Sequence, residues 1–156
     1  MATQPIGPRP ALLTVAMIVA IFFALGFVAA AATLAQGNDF TIHGGRGVST
    51  DFHAQARTLA ILFSFVAVYM ASIAVTLLKS RRSSRLLVLA YFPFASSASI
   101  AIFMLVLPAP HFADFVGLVI FGVAGTSFVY WYMYRKPNVL AYYRAIPAPG
   151  SDSGAA

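Results

Sequence analysis

Four apolar stretches, residues 11–35, 58–78, 86–107 and 112–134, carry no charge except Asp114 near the start of the last. A helix needs about 20 residues to cross about 30 Å of hydrocarbon, and each stretch meets that length. The runs are continuous, whereas membrane barrel strands alternate, and backbone groups in lipid must be satisfied within the segment. The pattern therefore predicts an all-α integral membrane protein, a compact antiparallel bundle of four transmembrane helices over residues 11–136. Short links follow the second and third spans, which makes those spans neighbours of their successors.

The remaining residues are consistent with this. The chain is 60% hydrophobic and 9% charged, outside the range of a water-solvated domain. A net charge of +6 would suggest nucleic acid in a soluble chain, but here the cations fall between apolar runs, so the bilayer is the expected partner and nucleic acid is not. No cysteine is present, which removes disulfides, thiolate metal sites and thiol redox chemistry.

The basic residues give an orientation. Arg9, Lys79, Arg81, Arg82, Arg85, Arg135, Lys136 and Arg144 fall on one side of the four spans, Arg46 and Arg57 on the other. The positive-inside rule puts both termini and the run KSRRSSR (79–85) in the cytoplasm, at the inner (plasma) membrane. Lys79, Arg81, Arg82 and Arg85 read as a tight cytoplasmic turn able to contact anionic lipid. Residues 1–10 read as irregular. A rival reading takes residues 11–35 as a signal peptide cleaved after Ala35, but the apolar core is longer than such segments carry, which favours a retained span.

YWYMYRKP (130–137) places aromatic residues before Arg135 and Lys136, as at a membrane interface. Pro137 can open a short amphipathic interfacial helix over 137–147, and residues 148–156 read as a disordered tail.

No ionisable side chain falls near mid-membrane, and the chain has no Glu. That argues against carboxylate-driven ion-coupled transport and against a bis-histidine haem. The spans offer small and hydroxylated residues instead. Ala16, Ala20 and Ala24, and Ala113, Gly117, Gly122, Gly125 and Thr126, form stripes that allow close helix approach, chiefly within the bundle. In FPFASSAS (92–99), Pro93 removes a backbone donor, and Ser96, Ser97 and Ser99 can satisfy loosened backbone groups or bond to a neighbouring helix. The alternative is a polar cavity bordered by Tyr69, Tyr91, Ser96, Ser97 and Thr126.

The segment 38–57 is the least ordinary part. Gly44, Gly45 and Gly47 surround Arg46, Ser49 or Thr50 is placed to cap the next helix, and Asp51 suits its first turn. His43, Asp51, His53, His111 and Asp114 gather on this outer side and are candidate zinc or copper ligands, although their spacing matches no established ligand motif and no cofactor is otherwise expected. No catalytic constellation is evident. The resulting expectation is a non-enzymatic accessory, scaffold or assembly subunit that binds other membrane proteins or further copies of itself. The alternatives are a transporter or channel for a neutral or weakly polar solute, and an outward metal or anion site.

Overall fold

A computed structural model describes residues 8–36, 41–43, 49–51, 55–106 and 112–146. Among these residues five helices run in order: α1 (Ala11–Ala35), α2 (Ala56–Leu78), α3 (Ser84–Val106), α4 (Phe112–Arg135) and α5 (Pro137–Ala145). Four of them are long and apolar enough to cross a membrane, with mean hydropathy falling from 2.7 in α1 to 1.6 in α4. That is the composition of a multi-pass membrane protein. Large apolar side chains such as Phe22, Phe65 and Phe112 stand exposed on the outside of the helices, where lipid rather than water would meet them.

Helix α1 packs against α2, α3 against α4, α2 against α3, and α5 against the end of α4. The core runs through Leu13 and Ala20 of α1, Met70, Ile73 and Leu77 of α2, Val129 and Met133 of α4, and Val139, Tyr142 and Tyr143 of α5. A smaller cluster joins Leu34 of α1 to Leu59 of α2, with Ile102 and Leu105 of α3 packed on it. On α1 the small-residue stripe turns inward: Ala20 is buried and Ala16 and Ala24 pack on the same core.

On α4 the small residues divide. A Cβ on Gly125 would collide with the Phe92 ring, and one on Gly122 would stand 2.6 Å from Ser96 Oγ. These two glycines set the approach of α3 to α4. Gly117 has open space around it. Pro93 lies inside α3, which continues through it to Val106, and Ser97 donates to the Pro93 carbonyl one turn back.

One expectation changes. Beside the helices that make the fold, Thr41–His43 (β1) and Ser49–Asp51 (β2) pair antiparallel, Thr41 opposite Asp51 and His43 opposite Ser49. Ser49, Thr50 and Asp51 therefore neither cap nor open α2, which starts later, at Ala56, with Gln55 before it and no side-chain cap. The β-branched Thr41, Ile42 and Thr50 favour extended backbone, and the ladder gives their peptide groups partners that no helix supplies there. Residues 44–48, including the glycines around Arg46, lie outside the described residues, as do residues 1–7, the 107–111 connection and 147–156.

Gly125→Ala forces Phe92 to move and should lower unfolding stability by about 1–3 kcal/mol, whereas Gly117→Ala, made into open space, should change it by no more than about 0.5 kcal/mol. Thermal unfolding of both variants in one detergent checks the contrast; equal melting temperatures would contradict the α3–α4 contact.

Candidate functional site

The densest polar structure among the described residues lies at the basic end of the helices, where residues 79–85 meet Arg9 and α5. Helix α2 ends in a Schellman turn: Arg81 N–H donates to the Thr76 carbonyl at 2.9 Å and Ser80 N–H to the Leu77 carbonyl at 3.1 Å. The turn requires a left-handed residue, and Ser80 fills it at φ 47°. Glycine would do so with less strain. The hydroxyl supplies the compensation, accepting from Tyr142 at 2.9 Å and from Arg9 Nη2 at 3.4 Å.

Three arginines from distant positions then donate to carbonyls at helix C-terminal ends. Arg9 Nη2 reaches the carbonyl of Leu78, the last residue of α2, at 3.4 Å. Arg82 Nε donates to Ile146, just past α5, at 2.9 Å. Arg85 Nη2 donates to Met133, two residues before the end of α4. The Met133 carbonyl would normally accept from the residue four positions on, which is Pro137 and has no N–H. A guanidinium suits all three positions, because the carbonyl end of a helix carries partial negative charge.

Aromatic residues complete the cluster. The Arg85 guanidinium carbon lies 3.6 Å from the Tyr134 ring centroid and 5.6 Å from that of Tyr143. Buried Ser84 shares a 2.9 Å hydrogen bond with the Tyr143 hydroxyl. Burial pushes the Tyr143 phenol above its usual range, against the opposing pull of the Ser84 bond, so it remains protonated at ordinary pH. The Arg85 Nε is buried without an acceptor. Val139, Tyr142, Tyr143 and Ile146 are all buried, so α5 is packed onto the helix ends on one face rather than lying free.

The four cations of residues 79–85 thus divide. Arg82 and Arg85 bond to carbonyls of α5 and α4, while the exposed side chains of Lys79 and Arg81 take no part in these bonds. Sequence reasoning did not find this division. The signal was Pro137, which leaves an unpaired carbonyl that a distant donor can fill.

The hydroxyls considered as a polar cavity are not gathered in one. Tyr69 donates to the Leu87 carbonyl at 2.7 Å, Ser96 to Leu118 at 3.0 Å, Ser97 to Pro93 at 2.9 Å and Thr126 to Gly122 at 2.6 Å. Tyr91 borders a cleft with wholly apolar lining and also a separate small cavity that it shares with Ser99 but with none of those four hydroxyls. That cleft, about 220 Å³, lies between α1 and α4 and is walled by all four long helices. A second, more open groove of about 610 Å³ runs along α1 and α2 and is floored by alanines including Ala24, Ala31, Ala60 and Ala67.

Of the candidate metal ligands, His43 and Asp51 fall on β1 and β2 and Asp114 in the first turn of α4, with side chains outside the described set; His53 and His111 lie wholly outside it. Among the described residues no group of three histidines or carboxylates comes together. No family model, curated protein or solved structure matches this chain.

Ser80→Ala keeps a Cβ in the left-handed turn and loses both hydroxyl bonds, while Ser80→Gly loses the same bonds but relieves the backbone. The alanine variant should be the less stable by about 1 kcal/mol. Equilibrium unfolding of the two variants checks this, and a glycine variant no more stable than the alanine one would contradict the assignment of strain to Ser80.

Proposed function

We propose that this chain is a multi-pass protein of the inner (plasma) membrane, an antiparallel four-helix bundle with both termini cytoplasmic, serving as a non-enzymatic accessory or assembly subunit. The alanine-floored groove along α1 and α2 carries the reading. Ala32, Ala35 and Ala71 are exposed along it, beside Ser64 and Val68. Small residues let a second helix approach to backbone distance, which is how helices associate where lipid supplies no hydrophobic drive. The occupant is a transmembrane helix of another protein or of a further copy.

The orientation is supported by eight of the ten Lys and Arg residues falling on one side of the spans. Solute transport is disfavoured by the membrane hydroxyls, since Tyr69, Ser96, Ser97 and Thr126 already donate to backbone carbonyls. Such bonds serve packing between and within helices.

A photo-crosslinker placed at Val68 in native membranes should give one discrete adduct with a membrane protein. The paired substitution Ala32→Leu and Ala71→Leu should remove that adduct while leaving the melting temperature within a few degrees. Lipid adducts alone, or an adduct that survives the filled groove, would overturn the reading. An adduct of twice the chain mass identifies a second copy as the occupant.

A further inference from the structure

The cleft between α1 and α4 has a different character from the alanine groove. Its walls are large: Leu13 and Ala16 of α1, Met70 of α2, Tyr91 of α3, Phe128 and Tyr132 of α4. Its lining exposes no polar surface. Val15, Val19 and Phe128 line it and are also exposed on the outside, so the cleft opens sideways between α1 and α4. Water has nothing to bond to there, and a dry apolar cavity of about 150 Å³ already accepts a benzene-sized guest. At about 220 Å³, this cleft exceeds that size. In a bilayer the material at such an opening is hydrocarbon chain.

The basic end of the cleft supplies the second half of the argument. Phe128 and Tyr132 stand four apart on α4, and Arg135 follows Tyr132 by three, which places it on the same face one turn farther along. Arg135 and Lys136 are exposed, and Lys136 Nζ lies 5.2 Å from the ring centroid of Trp131. An interfacial tryptophan with adjacent cations fixes that level at the head groups. Arg9, Arg82 and Arg85 are engaged with carbonyls and aromatic rings, so they do not compete for this role. No carboxylate is present among the described residues of this end to neutralise Arg135 or Lys136.

We infer that the α1–α4 cleft is a seat for one anionic phospholipid, with an acyl chain between the helices and its phosphate paired with Arg135 and Lys136. This adds an anionic-lipid contact at the end of α4 to the one that exposed Lys79 and Arg81 can make in the turn between α2 and α3. The inference rests on the membrane placement but not on the partner groove, and either can fail alone.

The test is native mass spectrometry of the full chain released from mixed vesicles of phosphatidylglycerol and phosphatidylcholine with matched chains. The wild type should retain one phosphatidylglycerol in preference to phosphatidylcholine by roughly tenfold or more. Arg135→Gln with Lys136→Gln, both on the exposed surface, should abolish that preference while a chain is still retained. Ala16→Trp, and separately Val15→Trp at the opening, should reduce retention of both lipids, with monodispersity on size exclusion confirming that each variant folds. Glycerol phosphate, which has the charge and no chain, should not be retained. Equal retention of the two lipids by the wild type, an unchanged preference in the glutamine variant, or retention unaffected in a folded filled variant would each overturn the proposal.

Discussion

Donation from arginine to the carbonyl end of a helix is the interaction on which the basic end of this fold depends. A helix leaves its last four carbonyls without partners, and burial of such groups in a membrane-facing core is costly. Here the ends of α2, α4 and α5 each leave a carbonyl to a distant donor: Leu78 beyond the bonds of the α2 turn, Met133 near the end of α4 and Ile146 just past α5. Arg9, Arg82 and Arg85 each fill one, and each comes from a segment far away in sequence. The bonds tie the start of the chain, the link between α2 and α3, and α5 into a single knot. Because a guanidinium carries five donors in a rigid fork, Arg9 can meet Tyr142, Ser80 and the Leu78 carbonyl together.

This knot gives α5 a defined position. A nine-residue helix is too short to be stable by itself, and its burial through Val139, Tyr142 and Tyr143 supplies what propensity cannot. Pro137 acts twice: it starts α5 at its first position and withholds the N–H that would have closed α4. Arg85 then links those two consequences by bonding to Met133 while resting on Tyr134 and Tyr143.

The long helices were legible in the sequence because continuous apolar runs of spanning length admit few alternatives; α1 occupies the residues its composition assigns, and the starts of α2 and α3 fall two residues earlier than the apolar runs. A short helix opening at Pro137 was legible from the sequence, but not that Val139, Tyr142 and Tyr143 pack it onto the ends of the long helices. The strand pair was not, since Ser49, Thr50 and Asp51 are equally good helix-opening residues, and only the partner Thr41–His43 decides between the two. The roles of the arginines were also hidden. Charge counting treats Lys79, Arg81, Arg82 and Arg85 alike, whereas a three-dimensional arrangement separates two that bond to carbonyls from two that do not.

The central claim is that Arg82 and Arg85 hold α5 in place through particular bonds rather than through their charge alone. Amide hydrogen exchange of α5 in two charge-matched variants tests it most directly. Arg82→Met with Arg85→Met should speed exchange across residues 139–143 by roughly tenfold or more, as lost bonds to helix-end carbonyls destabilise α5. Lys79→Met with Arg81→Met removes the same charge and should leave those amides at the wild-type rate. Equal acceleration in the two variants, or none in the first, would contradict the account.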